Sequence, residues 1–485
     1  MIRLRPYRYA PAYPRHRRWP AFILLASFLL AWATAQPAMA RGLFHPETFT
    51  LANGLQVVVV TDRRVPVVSH MVWYRVGAAD DPEGHSGIAH LLEHLMFKGT
   101  PTIPPGEFSR TVSRNGGEEN AFTSYDYTAY YQDIARSRLE LVMRMEADRM
   151  HNLTLTEKQV VPERQVVLEE RSQRTDNDPA AILDEEMQAA KFLNHPYRRP
   201  VIGWQKEIAA LQTADVLRFY RRWYAPNNAI LVVTGDIDAA ELRPLAERTY
   251  GLNKKIEVPV RRELVEPDQR ADRQVSLADP RVRQPEWSRS FRAPSYIWGD
   301  RERAYALQVL ADILGGGATS RLYRSLVVEQ GLAISASAWY DPSRRGPSEL
   351  AISASPRPGV DLDRLAAAAE AIVSEMAKSG PSEDEVARAK QRMIAEAVFA
   401  RDSIGAAARI LGQGLAIGQG LDDIEAWPER IGAVTRDQVA EAARLVLAGP
   451  TVTSLLLSAE GDAVAQPAAA PPPLPASAPA GGAIR

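Results

Sequence analysis

The chain has 485 residues, of which 46% are hydrophobic and 24% are charged, and it contains no cysteine. The absence of cysteine excludes thiol catalysis and cysteine-ligated zinc. The formal net charge is −1, from 58 lysines and arginines against 59 aspartates and glutamates, and without the six arginines of residues 1–40 it becomes −7, from 52 against 59. This negative charge argues against a protein that binds nucleic acid or an anionic membrane.

The first 40 residues have the layout of a secretory signal peptide. Arginines without any acidic residue are followed by an apolar run at 21–35 and by the small-residue pattern Ala38-Met39-Ala40. This layout predicts cleavage after Ala40 and export to the periplasm. The apolar run is short for a membrane span, so an uncleaved anchor is the weaker alternative. Arg17-Arg18 leaves twin-arginine export open beside the general secretory route.

The remaining residues are too many for one hydrophobic core, and we expect two halves of similar plan. The first half is predicted at 42–255 and the second at 284–460. Between them, the charged and proline-bearing stretch 256–283 shows no sustained periodicity and is interpreted as a linker. The Ala/Pro-rich stretch 461–485 is predicted to be a disordered tail.

The first half alternates strand-like and helix-like patterns. A hairpin is predicted at 49–61, where Asn53-Gly54 is a typical turn signal. Further strands are expected at 67–76, 119–123, 127–134 and 229–234, and helices at 106–114, 137–150, 156–174, 213–224 and 239–250, with one more after Asp178-Pro179.

The second half is predicted to repeat this plan. Strands are expected at 286–291, 332–339, 349–355 and 451–457, and helices at 301–314, 362–378, 382–399 and 435–447. No histidine lies beyond His195, so the second half cannot supply a histidine metal site of its own.

The pattern His90-x-x-Glu93-His94 lies within an apolar stretch that ends at Phe97. In a helix, residues four apart lie on one face, so the two imidazoles can share one zinc ion. Glu93 would lie beside the metal, where a carboxylate can accept a proton from a water. Ser86 is the predicted N-cap of this helix. A surface helix with two chance histidines is the alternative, but the apolar flanks predict a buried helix.

A further pair of carboxylates lies in the charged stretch 156–174. Glu163 and Glu170 are seven residues apart and share one helical face with Val166 and Val167. On spacing alone, a solvated face with ordinary surface charges is the stronger interpretation.

These motifs, taken in order, resemble the pitrilysin (insulinase-like) zinc peptidases, in the branch of mitochondrial processing peptidase and its bacterial relatives. The resemblance rests on His90-x-x-Glu93-His94 and on Glu170, which lies 76 positions after His94. The segments 116–121 and 195–203 also resemble family segments. The likeness covers nearly the whole mature chain.

The resemblance implies an α+β fold of two similar halves, each a mostly antiparallel sheet with helices packed on it, which together form half of a clam-shaped chamber. It implies a Zn²⁺ site made of His90, His94 and Glu170, with the fourth position open, and Glu93 as the general base. The function implied is a zinc endopeptidase that hydrolyses short or unfolded peptides.

Other positions acquire roles from the same resemblance. Glu163 would support the metal ligands through hydrogen bonds. Asn120 and Ala121 would lie on an edge strand that pairs with an extended substrate peptide. For Asn120, a turn or bulge residue is the alternative.

The second half departs from the family pattern. Many active relatives carry there an arginine and a tyrosine that reach the substrate, and the matching positions in this chain hold Val327 and Ile334. We therefore expect a heterodimer with a zinc-less homologous chain that supplies the missing pair. A homodimer is the second expectation, and a chain that works alone with a modified site is a third.

A different class of function stays open beside the endopeptidase. Some members of this family are non-catalytic scaffold or assembly subunits, and these tend to have lost their zinc residues. This chain keeps both histidines and both glutamates of the pattern, which favours the enzyme.

Overall fold

A computed structural model of the chain describes residues 42–261 and 265–459. The predicted signal peptide at 1–40 and the predicted tail at 461–485 lie outside the described residues. Within them, eleven strands form two sheets: β1 (Glu47–Thr50), β2 (Gln56–Thr61), β3 (Val67–Tyr74), β4 (Glu118–Thr123), β5 (Thr128–Ala135), β6 (Ala229–Gly235), β7 (Arg273–Asp279), β8 (Glu286–Ala293), β9 (Ala333–Tyr340), β10 (Ser348–Pro356) and β11 (Thr451–Ser458).

Helices α1 to α15 cover these sheets. They are α1 (Ile88–Leu95), α2 (Glu107–Arg114), α3 (Leu139–Asn152), α4 (Glu157–Arg171), α5 (Pro179–Lys191), α6 (Gln205–Ala210), α7 (Thr213–Trp223), α8 (Ala239–Arg248), α9 (Arg303–Gly315), α10 (Leu362–Ser379), α11 (Glu383–Ala400), α12 (Ile404–Ile417), α13 (Leu421–Glu425), α14 (Trp427–Ala433) and α15 (Arg436–Val446). No helix of residues 42–261 or 265–459 combines the length and the apolar content that crossing a membrane requires.

The two sheets have the same topology. The first has the strand order β1-β2-β6-β3-β5-β4, and the second has the order β7-β11-β8-β10-β9. In each, one parallel pair, β2 with β6 and β7 with β11, adjoins a run of antiparallel pairs. Each strand of the second sheet therefore has a counterpart in the first, and only β1 lacks one. The predicted α+β fold of two similar halves is confirmed.

The predicted linker contains one of these strands. Residues 273–279 form β7, so the prediction of a linker is wrong for this segment. β7 is an edge strand whose residues alternate between exposed and half-buried positions, and it pairs with β11, which lies far away in sequence. A half-exposed edge strand with a distant partner has a weak local pattern.

The first sheet is covered on both faces. Leu231 and Val233 of β6 belong to the main core of the first half. Ile230 and Val232 alternate with them and meet a second cluster, which includes Leu411 of α12. This helix comes from the second half and was not predicted. At Gly412 it lies so close to the sheet that an added Cβ would be 2.1 Å from the Trp73 indole nitrogen.

The second sheet is covered in the reciprocal way. Helix α5 of the first half contacts β7 and β11, and its Leu183 is buried with Val282 and Leu456. Each half thus contributes a helix to the outer face of the other half's sheet. Because these apolar faces are buried only when both halves are folded, we expect the halves to depend on each other for stability.

Candidate active site

Helix α1, which carries the histidine pattern, begins at an unusual N-terminus. Gly87 is the N-cap and has a φ of 85°, and an added Cβ there would lie 2.4 Å from the carbonyl oxygen of Ile202. The buried carboxylate of Asp81 accepts hydrogen bonds from the backbone N–H of Gly87 at 2.7 Å and of Ala89 at 3.1 Å. The prediction of Ser86 as the N-cap is wrong, since its hydroxyl accepts from the N–H of Trp204 instead.

The structure brings three of the predicted ligands together. His94 Nε2 lies 3.2 Å from Glu170 Oε2, and His90 Nε2 lies 3.8 Å from the same oxygen. One ligand atom from each residue fits within 4.8 Å of the others. Ligands about 2.1 Å from a tetrahedral zinc ion lie about 3.4 Å from one another. The two separations bracket that value, so the residues fit one zinc ion with three protein ligands.

The two histidines reach this position from one helix, and the glutamate from another. His90 and His94 have ring centroids 4.8 Å apart at an interplanar angle of 69°. Glu170 is near the end of α4, which packs against α1. Helix α4 begins at Thr156 with a capping box closed by Gln159, and its length then places Glu170 beside the histidine pair.

His90 is held as a neutral imidazole. Burial, followed by the effects of His94 and Arg174, lowers its pKa to about 3. Its Nδ1 is buried and makes no hydrogen bond within the described part of the chain. A neutral buried imidazole with one nitrogen directed at a carboxylate and a second histidine is suited to metal binding.

His94 is held by a second carboxylate behind it. Its Nδ1 lies 3.1 Å from Glu163 Oε1, and the other oxygen of Glu163 lies 2.5 Å from Lys98 Nζ. Burial opposes ionisation of Glu163, but the hydrogen bonds from His94 and Lys98 and the charges of these two residues together outweigh it and lower the pKa of Glu163. Glu163 therefore contacts one of the candidate metal ligands on the side away from Glu170. Lys98 was missed, because it lies beyond the end of α1 at Leu95 and no helical spacing places it beside Glu163.

Glu93 lies next to these ligands and is itself fixed by a hydrogen bond. The hydroxyl of Thr123 on β4 donates to Glu93 Oε2 across 2.6 Å. Burial raises the pKa of Glu93, while the Thr123 hydrogen bond and His94 oppose the shift. Thr123 was also missed by sequence reasoning. Its side chain shares a strand face with Ala121, and only the packing of β4 on α1 brings it to Glu93.

Strand β4 forms one wall of a cleft at this position. It is the last strand of its sheet and pairs with β5 alone among the described strands. The cleft has a volume of about 680 Å³ and is lined by the three candidate ligands, Glu93 and Thr123, but not by Glu163 or Lys98. Its lining residues are His90, Glu93, His94, Asn120, Ala121, Phe122, Thr123, Glu170, Arg174, Thr175, Val201 and Ile202. The edge strand and the histidine–glutamate group thus share one cavity.

Val327 and Ile334 occupy the two positions of the second half where many active relatives carry an arginine and a tyrosine. Val327 is buried, and Ile334 is 47% exposed on β9. Of the two nearby arginines, Arg321 is held by Glu385 in two short contacts of 2.6 and 2.7 Å. Arg324 is exposed and lies 2.8 Å from Glu329.

Comparison with known proteins identifies the family. Residues 56–204 match the family model "Insulinase (Peptidase family M16)", and residues 210–393 match the model "Peptidase M16 inactive domain". The "Zinc protease PqqE" of Helicobacter pylori is 34% identical over 313 residues, which cover 64% of this chain and 70% of that protein. The chain belongs to the M16 peptidase family. The predicted membership of the pitrilysin (insulinase-like) peptidases is confirmed.

Solved structures agree with this assignment. A protease from Helicobacter pylori superposes with a TM-score of 0.80 at 28% identity, over 86% of this M16 chain and all of the other. The first half of the periplasmic protease PqqL from Escherichia coli has a TM-score of 0.73 at 20% identity, over 86% of this chain and 92% of that one. The second likeness shows a shared fold.

Proposed function

We propose that this chain is an exported, zinc-dependent endopeptidase that hydrolyses extended peptides in an enclosed chamber. The observation that carries the proposal is the cleft in which His90, His94 and Glu170 adjoin Glu93 and an open strand edge. Relatives named zinc proteases support the same chemistry. The alternative of a non-catalytic scaffold gives no reason for three ligand atoms to converge beside a hydrogen-bonded carboxylate.

The proposed site divides the work among named residues. His90, His94 and Glu170 would hold zinc, which in such sites polarises a carbonyl and lowers the pKa of water. Glu93 would accept the proton of the attacking water and later pass it to the leaving amine. Thr123 would hold the Glu93 carboxylate in place for both transfers. Glu163 would fix the ring of His94 through its Nδ1.

Substrate binding would use the edge of β4. A peptide that pairs with this edge receives main-chain hydrogen bonds, which give affinity with little demand on sequence. Asn120 and Ala121 are the proposed contacts, since both line the cleft. The Asn120 side-chain oxygen accepts from the Ala121 N–H at 2.8 Å, so its amide nitrogen remains available to a peptide carbonyl.

We also propose export and a partner chain. The pattern of residues 1–40 supports a cleaved signal peptide and a periplasmic location. The mature chain would then have a first half at 42–255 and a second half that also includes β7. The present chain spans 47% of the complete PqqL structure, which supports a chamber made of more than this chain. Val327 and Ile334 favour a zinc-less homologous partner with the arginine and tyrosine, and a homodimer is the second candidate.

The first experiment measures zinc and hydrolysis on the mature chain from Arg41, purified without chelator. We expect about one zinc per chain and cleavage of a quenched fluorescent peptide library that 1,10-phenanthroline abolishes. Cleavage by the chain alone would exclude an obligate partner, whereas zinc with cleavage only after addition of the partner would establish the heterodimer. A chain without zinc would refute the proposed function.

A pair of substitutions separates the roles of neighbouring carboxylates. Glu93→Gln should abolish hydrolysis and keep zinc, while Glu170→Gln should weaken zinc binding. The matched control is Glu169→Gln, because Glu169 is exposed and contacts Gln173 at 2.9 Å. Loss of zinc from the Glu93→Gln protein would show that Glu93 has a structural role instead.

A further inference from the structure

Arg174 is a cationic side chain at the rim of the candidate active-site cleft, and the roles assigned above do not use it. Its side chain is 74% exposed, and its Nη1 lies 2.8 Å from Glu170 Oε1. It lines the same cleft as Glu93 and the edge strand. Among the residues described as lining that cleft, it alone is an arginine or lysine.

The backbone beneath Arg174 is firmly anchored. Residues Ser172–Asp176 form a π-helical segment at the end of α4, a feature that is common at functional sites. The buried Arg171 ties this segment to the rest of the first half, with two contacts of 2.7 Å to Glu185 and one of 2.8 Å to the carbonyl oxygen of Gly203. An exposed side chain on an anchored segment loses little backbone freedom when it binds a ligand.

The acidic groups near Arg174 leave much of its guanidinium accessible. Glu170 contacts it through one oxygen and directs the other to His94. Asp176 lies 3.4 Å from Arg171, and Glu169 accepts from Gln173. A guanidinium carries five N–H donors, so donors remain for a ligand in the cleft.

We propose that Arg174 selects peptides that carry an aspartate or glutamate next to the scissile bond. This proposal rests on the proposed peptidase function and names its preferred substrates. An extended peptide rises about 3.3 Å per residue. Arg174 contacts Glu170, which is a proposed zinc ligand and therefore lies next to the bond to be cleaved. Its guanidinium therefore reaches side chains within about two residues of the bond to be cleaved, where a charge-assisted pair with a carboxylate forms.

The test measures peptide binding without hydrolysis. The full mature chain carrying Glu93→Gln is loaded with zinc and titrated with fluorescent peptides that differ only by Glu or Gln at each position flanking the scissile bond. We expect the Glu peptide to bind about tenfold more tightly at one position, an advantage that salt reduces. Arg174→Gln should remove the advantage, Arg174→Lys should keep part of it, and Arg174→Glu should favour a Lys peptide.

A matched control and a metal assay complete the design. Arg218→Gln should leave the preference intact, because Arg218 is equally exposed on α7 at 72% and lies 3.3 Å from Asp215. The Arg174→Gln protein should retain its zinc. Loss of zinc from it would mean that Arg174 serves to orient Glu170, and this would overturn the proposal.

Other outcomes would also overturn the proposal. These are equal binding of all Glu and Gln peptides, a preference that survives Arg174→Gln, and the absence of any peptide binding. Failure of the proposed peptidase function would give a different result from failure of the Arg174 proposal. The unsubstituted chain would then hydrolyse no peptide, alone or with its partner, while the preference for Glu peptides would still be measurable.

Discussion

The hydroxyl of Thr123 lies 2.6 Å from a carboxylate oxygen of Glu93, and this hydrogen bond joins the edge strand β4 to helix α1. The strand proposed to hold the substrate and the residue proposed to accept the proton are therefore held in a fixed relation. A shift of β4 would move the Glu93 carboxylate with it, so the proposed peptide binding and proton transfer would be coupled through the Thr123 side chain.

Substitution of Thr123 should impair catalysis with little effect on zinc. Thr123→Val keeps the shape of the side chain and removes the donor, so we expect kcat to fall about tenfold or more. Thr123→Ser restores the hydroxyl and should recover most of the activity. Peptide kinetics and zinc content measure the two effects. A Thr123→Val protein with normal kcat would show that the hydrogen bond has no catalytic importance.

Lys98 should control zinc affinity through Glu163 and His94. Lys98→Met leaves the Glu163 carboxylate without its 2.5 Å partner, and support of this kind typically changes metal affinity about 10–100-fold. We expect zinc to be lost at lower chelator concentrations, and Lys98→Arg to be less affected. Lys158→Met is the control, because Lys158 is exposed near the start of α4. Equal chelator sensitivity of the Lys98→Met and Lys158→Met proteins would contradict the prediction.

The stability of the first sheet should depend on a helix of the second half. Leu411 of α12 is fully buried against that sheet, whereas its neighbour Ile410 is 36% exposed. Leu411→Ala should lower the free energy of unfolding by about 2–5 kcal/mol, and Ile410→Ala by clearly less. Urea unfolding followed by the fluorescence of Trp73, in a variant that keeps this tryptophan alone, measures the effect. Similar losses in the two variants would argue against the interlocked halves.

Arg321 should act in stability and not in substrate binding. The hydrogen bonds from Arg321 are the largest cause that lowers the pKa of Glu385 from 4.5 to about 2; burial opposes the shift, and the hydrogen bonds from Ser382 add to it. The unfolded chain therefore binds more protons than the folded one between these pH values, and the stabilisation is present above pH 4.5 and lost as the pH falls towards 2. The destabilisation caused by Arg321→Met should shrink over that range, as measured by urea unfolding at several pH values.

Activity measurements provide the complementary result for Arg321. The Arg321→Met protein should show normal kcat/KM for peptides at pH 7 and at a temperature where it is folded. A large fall in kcat/KM, with a destabilisation that does not change with pH, would instead place Arg321 among the substrate contacts.

Much of the site follows from local sequence, because its main residues lie on two helices with regular spacing. The four-residue interval fixes His90 and His94 on one face, and Glu93 necessarily lies beside them. Glu170 was ambiguous on spacing alone, and the family resemblance assigned it. The alternation of buried residues likewise made most strands and helices predictable, including β4 and its neighbour β5.

Contacts between distant segments could not be read in this way. The N-cap at Gly87 depends on a carboxylate from Asp81 and on the nearby carbonyl of Ile202, and the Thr123 hydrogen bond depends on how β4 packs against α1. Strand β7 exists because β11 pairs with it. Helix α12 lies on the sheet of the other half because that sheet has two apolar faces.

By itself, the sequence determined the helix of the histidine pair, the neighbouring carboxylates and most of the helices and strands, because residues within a few turns of each other have fixed relative positions. Only the tertiary structure decided which polar groups form hydrogen bonds across the site. It also decided that each sheet has one apolar face covered by a helix of the other half. These contacts depend on hydrogen bonding and burial between segments that are far apart in the chain, so they cannot be predicted from the spacing of residues within one segment.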